Sequence, residues 1–170
     1  MPREKSALKA VPAALDAETR VHDDHHVSLR LWLRLLSCTN QIEGRVRQSL
    51  QSSFDTTLPR FDLMAQLERA PQGLKMSELS QRMMVTGGNV TGITDGLAKE
   101  GLVVRAVDGA DRRVYRVKLT AEGDRQFRRM AAEHERWVID LFGALSPRQK
   151  KQLMDLLGEL KECLMDRNGA

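Results

Sequence analysis

Two adjacent arginines, Arg112 and Arg113, follow an Asp-Gly pair and lie between two short runs that are rich in β-branched residues. Asp-Gly between such runs predicts a tight β-hairpin, so the two guanidinium groups would project from its tip. Arginine at a hairpin tip suits a narrow groove of strong negative potential, such as the minor groove of a DNA duplex. Asp111 could pair with one of these arginines and hold the tip in shape.

The positive charge of the chain is concentrated around this hairpin. The whole sequence of 170 residues carries a formal net charge of +4. Residues 99–129 contain nine lysines and arginines against five aspartates and glutamates, so this stretch alone accounts for the excess. Such a surface suits a phosphate backbone, although a solvated charged face would give the same count.

A glycine-rich helical pattern directly precedes the hairpin. Three apolar residues fall on one face at i, i+3 and i+7 and are expected to pack on the domain: Val90, Ile93 and Leu97. On the outward side, Gly88, Gly92 and Gly96 recur every four residues, although each glycine costs a helix up to about 1 kcal/mol relative to alanine. A face without side chains would let the helix backbone press against DNA. Packing against another helix, or fraying, is the alternative explanation.

The remaining residues of this outward face offer hydrogen-bonding groups. Asn89 could read an adenine, and Thr91 could contact a thymine methyl or a phosphate. Together with the two hairpin arginines and two predicted helix caps, they form the predicted DNA-contacting set: Ser77, Thr86, Gly88, Asn89, Thr91, Gly92, Asp95, Lys99, Arg112 and Arg113.

Helical periodicity and capping signals predict the elements that position these residues. Helices are expected over 24–51, 60–69, 77–84 and 86–100, with Ser77 and Thr86 as caps of the last two and Gly101 ending the fourth. The hairpin strands would be 102–107 and 113–119. Thr120 caps a fifth helix, and Ser146 with Gln149 forms a capping box for a sixth. Two short helices followed by a basic hairpin form a winged helix-turn-helix, so the fold class is mainly α with a small β-hairpin wing.

Three segments of the hairpin region resemble the signature of the MarR family of winged helix-turn-helix transcriptional regulators. They are Gly-Leu-Val-Val-Arg at 101–105, Asp-Arg-Arg at 111–113, and Val-Lys-Leu-Thr-Ala-Glu-Gly at 117–123. The resemblance implies a homodimeric repressor whose first and last helices form a dimerisation domain and which a small ligand or an oxidant releases from DNA. It divides the chain into an arm (1–22), a dimerisation region (23–57 and 121–170) and a DNA-binding domain (58–120). The glycine-rich helix and the longer arm depart from the family pattern.

The last predicted helix carries leucines at spacings of four, three and four, which make a short a/d seam: Leu153, Leu157, Leu160 and Leu164. A helix packed on its own core would show the same pattern, but with the family's architecture we expect a seam between two copies. Two identical DNA-binding heads imply a pseudo-palindromic duplex operator with half-sites about 10 bp apart.

The predicted effector site combines aromatic surface with cations. Trp32 and Phe61 offer the aromatic surface, Met64 is adaptable beside them, and nearby arginines suit carboxylate or phosphate groups. Segments 22–38, 58–69 and 83–97 resemble the MarR repressors that respond to hydroxycinnamoyl-CoA thioesters, such as p-coumaroyl-CoA or feruloyl-CoA, and that govern aromatic catabolism. A free aromatic acid is the alternative effector. The predicted ligand-binding residues are His25, Arg30, Trp32, Arg34, Cys38, Arg60, Phe61 and Met64.

Metal binding, redox sensing and catalysis are the other function classes to weigh. His22, His25 and His26 could begin a zinc site, but no cluster elsewhere completes one, so neither metal nor cofactor is expected. Cys38 could sense an oxidant, but a buried structural cysteine is the favoured interpretation. The two cysteines lie far apart and no long apolar span occurs, which favours a reduced, cytoplasmic setting. Nucleophile-elbow, zinc-protease, dinucleotide and P-loop motifs are missing, so an enzyme is not expected.

Overall fold

The computed structural model describes residues 26–107 and 115–166, which are mostly helical with a small antiparallel sheet. In chain order the elements are α1 (Val27–Phe54), α2 (Leu58–Glu68), β1 (Leu74–Lys75), α3 (Met76–Met83), α4 (Gly87–Lys99), β2 (Val103–Val107), β3 (Tyr115–Leu119), α5 (Ala121–Leu141) and α6 (Pro147–Asp166). The predicted fold class, mainly α with a small β-hairpin, is confirmed. The arm at 1–22, His25 and the hairpin tip with Arg112 and Arg113 lie outside the described residues.

The chain divides into two compact units, Met1–Arg45 and Val46–Ala170. In the first unit, α1 exposes large apolar side chains, including Leu31 at 54% and Trp32 at 58%. The second unit contains the hydrophobic core. The predicted division into dimerisation and DNA-binding regions is a functional one and stays a prediction.

The core of the second unit is built mainly from aliphatic side chains of every element except α6. It includes Val46, Leu50, Leu63, Met64, Leu67, Leu74, Leu79, Val90, Leu97, Val103, Val117 and Met130, each at most 4% exposed. Burial of this kind stabilises by about 1.5–3 kcal/mol for each fully buried aliphatic side chain. Because α4 contributes two of these residues, its orientation is fixed by the core.

The sheet has three strands in the order β1-β3-β2, all antiparallel. Strand β1 was not predicted, because two residues show no periodicity and its partner lies more than forty residues further along the chain. Leu74 stands opposite Val117, and both side chains are buried. This pairing fixes the base of the hairpin to the start of α3.

Two predicted helix caps are confirmed. The Thr120 hydroxyl accepts a hydrogen bond from the Gly123 amide at 3.0 Å. The Ser146 hydroxyl accepts from the Gln149 amide at 3.3 Å, while the Gln149 side chain accepts from the Ser146 amide at 2.8 Å. Both helices therefore begin where local sequence signals place them.

The predicted cap of α3 is wrong. The helix begins at Met76, one residue before Ser77, because β1 leads directly into it. The N-cap residue is Lys75, and the Glu78 carboxylate accepts a hydrogen bond from its amide at 2.7 Å. Ser77 is left exposed on the first turn of the helix.

Gly123 ends the Val-Lys-Leu-Thr-Ala-Glu-Gly segment at 117–123, and its surroundings explain why glycine is needed there. A Cβ atom at this position would lie 2.9 Å from the carbonyl carbon of Leu102 and far inside contact distance of its oxygen. The Thr120 hydroxyl donates to the Gly101 carbonyl oxygen at 2.7 Å in the same place. The start of α5 thus packs directly on the chain entering β2, and only glycine permits that approach.

Candidate nucleic-acid interface

The inward face of α4 consists of Val90, Thr94 and Leu97, all of which are fully buried. The prediction for Val90 and Leu97 is confirmed, and Ile93 is half-buried. Thr94 was missed because a hydroxyl does not register as apolar, yet it donates to the Val90 carbonyl oxygen at 2.8 Å and so leaves no unpaired donor. The opposite side of the helix must therefore face away from the core.

The outward face of α4 is open where Gly88 and Gly92 lie. A Cβ atom at either position would meet nothing within 4 Å, and Asn89 and Thr91 between them are exposed. Gly96 differs, because its Cβ would lie 3.9 Å from Nη1 of Arg60 and the residue is only partly exposed. The predicted stripe of three open glycines is therefore a stripe of two.

The N-terminus of α4 borders an open groove of about 760 Å³ between α3 and α4. Thr86 is the N-cap residue, as predicted, but its side chain makes no capping hydrogen bond. Hydroxyl and amide groups lie along the groove, and they belong to Ser77, Gln81, Thr86 and Thr91. Met76, Met84 and Val85 line the same groove, so both polar and apolar groups border the exposed start of the helix.

Asp95 forms an ion pair with Arg105 of β2. Both side chains are a little under half exposed, at 45% and 42%. An exposed carboxylate would be repelled by a phosphate backbone, and this pairing neutralises the one acidic group on the outward face of α4. The pair also ties the base of the hairpin to the middle of α4.

The hairpin strands are paired from Val103 opposite Leu119 to Val107 opposite Tyr115. Arg116 in β3 donates to the Gly73 carbonyl oxygen at 3.1 Å and lies 3.7 Å from the Glu78 carboxylate. The described part of the hairpin is therefore anchored to both α3 and α4, and its tip lies outside the described residues.

Comparisons with known proteins agree with this arrangement. Residues 54–114 match the model of the MarR family. A MarR family transcriptional regulator from Silicibacter pomeroyi has a structure with a TM-score of 0.72 and 32% sequence identity, covering 85% of this chain and 99% of that one. The chain belongs to the MarR family.

Other MarR-type relatives are also transcriptional regulators. The uncharacterized HTH-type transcriptional regulator YkoM of Bacillus subtilis is 31% identical over 68% of this chain and 73% of its own length. The MarR family regulator Sco3205 from Streptomyces coelicolor, solved in complex with DNA, has a TM-score of 0.68 at 26% identity, over 79% of this chain and 88% of that one. None of these names mentions an effector, so the hydroxycinnamoyl-CoA subgroup stays a prediction.

The predicted effector residues are divided between the two units. In the first unit Arg30 and Arg34 share a groove with Val27 and Leu31, and the buried Nε of Arg30 has no hydrogen-bond partner among the described residues. Cys38 is exposed, so the favoured interpretation of a buried structural cysteine is wrong. The apolar pattern around it lies on a helix that is not covered within its own unit.

In the second unit, Phe61 and Met64 are core residues, at 6% and 1% exposed. Phe61 packs against Phe127 and His134, with ring centroids 5.5 and 4.9 Å apart. The expectation that Phe61 and Met64 offer aromatic and adaptable surface is wrong, because the spacing of apolar residues on a helix does not distinguish core from pocket. Arg60 beside them is ion-paired with Glu100.

The predicted leucine seam lies on the surface of the second unit. Helix α6 has no buried residue. The four seam leucines are 37–55% exposed: Leu153, Leu157, Leu160 and Leu164. They do not belong to the core of this subunit.

Residues 26–107 and 115–166 contain no group of three or more histidine, cysteine, aspartate or glutamate side chains placed to hold a metal ion. Within the same part of the chain, no helix combines the length and the apolar character of a membrane span. Most of the histidine run that begins at His22 lies outside these residues.

Proposed function

We propose that this MarR-family regulator is a homodimeric repressor that inserts α4 into the major groove of a pseudo-palindromic operator and is released by an aromatic effector. The observation that carries the proposal is the division of α4 into a fully buried face and an open, glycine-bearing face. In a helix-turn-helix the second helix presents its exposed N-terminal part to base edges. The start of α4 offers hydroxyl, amide and backbone groups for that task.

The open glycines would let the helix backbone approach the bases closely. Asn89 and Thr91 flank the positions where no Cβ meets a neighbour, so both side chains would reach base edges directly. Lys99 at the end of the helix would contact a phosphate and fix the register. Arg112 and Arg113 would contribute from the hairpin tip in the adjacent minor groove.

Dimerisation is supported by the uncovered apolar stripe of α6. Side chains of this size are seldom left as a contiguous exposed stripe on a monomer. The MarR regulators act as dimers. A second copy of α6 is therefore the occupant that we assign to this stripe, and it would place two α4 helices on one operator.

An anionic aromatic effector is supported by the first unit. Arg30 and Arg34 supply two cations one helical turn apart, and Val27 and Leu31 supply apolar surface beside them. Trp32 is 58% exposed on the same helix. A hydroxycinnamoyl-CoA thioester would place its phosphates on the arginines and its aromatic group on the apolar surface beside them. A free aromatic acid is the competing ligand.

DNA binding is tested by selecting duplexes from a random library with the full-length protein. We expect enrichment of an inverted repeat, and tighter binding to that duplex than to unrelated DNA by about 10³-fold or more. Equal affinity for selected and unrelated duplexes would contradict a sequence-specific regulator. Because phosphate contacts dominate non-specific binding, both affinities should be measured at the same salt concentration.

The effector is tested by thermal shift with p-coumaroyl-CoA, free p-coumarate and CoA alone. A ligand that binds only the folded state raises the melting temperature and, in this proposal, also displaces the operator. Arg30→Ala should weaken the response to the thioester, whereas Arg45→Ala, on an exposed site of the same helix, should not. A response to free p-coumarate alone would contradict the proposal that a thioester is the effector, and it would support a free aromatic acid instead.

Redox release through Cys38 is a second candidate, favoured by the exposure of its thiol. Peroxide should then lower operator affinity in the wild type and not in Cys38→Ser. Cys163→Ser serves as the matched control, because Cys163 is also exposed. Loss of the peroxide response in Cys163→Ser instead would exclude Cys38 as the sensor.

A further inference from the structure

The C-terminal end of α4 is tied to α2 by Arg60. This residue lies in the first turn of α2 and forms an ion pair with Glu100, the C-cap residue of α4. Only 24% of the Arg60 side chain is exposed, against 50% of Glu100. Its Nη1 atom also lies beside Gly96, where an added Cβ would stand 3.9 Å away. The guanidinium group therefore rests on the last turn of α4, where the helix dipole favours a cation.

Arg60 projects from a firmly held helix. Its neighbour Phe61 packs against Phe127 of α5, with the ring centroids 5.5 Å apart. Four residues of α2 are buried: Phe61, Leu63, Met64 and Leu67. Because α2 cannot shift without disturbing these contacts, Arg60 gives the end of α4 a fixed point of attachment.

This ion pair adds a constraint on α4 that the core does not supply. Burial of Val90 and Leu97 is non-directional and tolerates small shifts of the helix, whereas a charge-assisted hydrogen bond restricts both distance and angle. The proposed base contacts lie at the other end of α4, roughly 18 Å along the axis from Glu100. A tilt of about 3° over that length moves the start of the helix by roughly 1 Å, which is enough to break a base-edge hydrogen bond.

We propose that Arg60 is a positioning residue for sequence-specific DNA binding, which acts through Glu100 to set the tilt of α4 and does not itself contact DNA. This inference rests on the proposed function and deepens it. It also accounts for the difference between Gly96 and the two open glycines of α4, because the guanidinium group occupies the space beside Gly96. Arg60 was predicted as an effector-binding residue, and its pairing with Glu100 supports this role at α4.

Arg60→Met tests the role, because methionine keeps an unbranched apolar stem and removes the guanidinium group. The Nε atom of Arg60 is buried without a hydrogen-bond partner among the described residues, so its removal relieves a cost that offsets the loss of the ion pair. We therefore expect the melting temperature to change by no more than about 2 °C. The ratio of the affinities for the selected and the unrelated duplex should fall about two- to thirtyfold. Arg69→Met, the same change at an exposed site at the other end of α2, should leave this ratio unaltered.

A double variant shows whether Arg60 acts through Glu100. Glu100→Ala alone should lower the affinity ratio by a similar factor, and Arg60→Met combined with Glu100→Ala should lower it no further, because both changes remove the same interaction. Additive losses, or a ratio that Arg60→Met leaves unaltered, would overturn the inference. Equal losses for both duplexes with a flatter salt dependence would overturn it too, because Arg60 would then contact a phosphate directly.

The same titrations distinguish this inference from the proposed function. If the wild type does not prefer the selected duplex over unrelated DNA, the proposed function fails. If the wild type shows that preference and the Arg60 and Glu100 variants retain it in full, only the positioning role fails.

Discussion

The substitution Gly92→Ala distinguishes the contribution of this position to the stability of α4 from its contribution to DNA binding. Gly92 lies inside a helix of thirteen residues, and a Cβ atom there would meet nothing within 4 Å. Alanine removes backbone freedom from the unfolded chain and creates no clash, so the free energy of unfolding should rise by up to about 1 kcal/mol. In a protein of this size, that raises the melting temperature by about 2–4 °C.

DNA binding should respond in the opposite direction. The added methyl group stands where the backbone would approach the bases, and it would hold the start of the helix away from the groove floor. Loss of one good base contact costs about 1–3 kcal/mol, which corresponds to about a 5- to 150-fold loss of specific affinity. Binding to unrelated DNA should change much less, because phosphate contacts tolerate a small displacement.

Gly44→Ala is the matched control for both measurements. Gly44 is exposed within α1, and its Cβ would also meet nothing within 4 Å. Melting curves should show similar stabilisation for both variants, and competition titrations should show loss of specificity for Gly92→Ala alone. A Gly92→Ala variant that is destabilised, or stabilised with full specificity, would refute the assignment of this face to DNA.

Three further sets of substitutions test other parts of the molecule. Arg112→Ala and Arg113→Ala should each weaken binding to all duplexes and flatten the salt dependence by about one charge, whereas an unchanged slope in the double variant would remove the hairpin tip from the interface. Leu157→Asp with Leu160→Asp should convert the dimer to monomers in light scattering, because unpaired carboxylates are costly to bury; an intact dimer would place the seam elsewhere. Gly123→Ala should lower the free energy of unfolding by about 1–3 kcal/mol in urea titrations, in contrast to Gly44→Ala, and equal stability would show that α5 can move away from Leu102.

Local signals in the sequence were sufficient for the helices and most of their caps. Thr120 and Ser146 cap their helices because their partners lie three residues away, which a pattern can show. Gly101 ends α4 with a φ of +72°, as its position after the last periodic residue predicted. The Asp-Gly turn signal likewise placed the two hairpin strands.

Features that depend on distant partners could not be predicted in the same way. Strand β1 exists because Leu74 meets Val117, and no local period marks it. The role of Asp95 depends on Arg105 across an element boundary, so the helical face alone suggested DNA.

The stability of α4 comes from the face that DNA would not touch. Val90 and Leu97 are fully buried, which stabilises by about 1.5–3 kcal/mol each, while Gly88 and Gly92 each cost up to about 1 kcal/mol. The free energy gained by burying the inner face therefore offsets the cost of the glycines on the outer face. The helix does not need its exposed glycine positions for stability. Apart from Asp95, which pairs with Arg105, the exposed residues at the start of α4 are therefore available for contact with the groove that the helix would enter. A helical surface without side chains can therefore stay exposed on the folded protein, where a partner can approach the backbone closely.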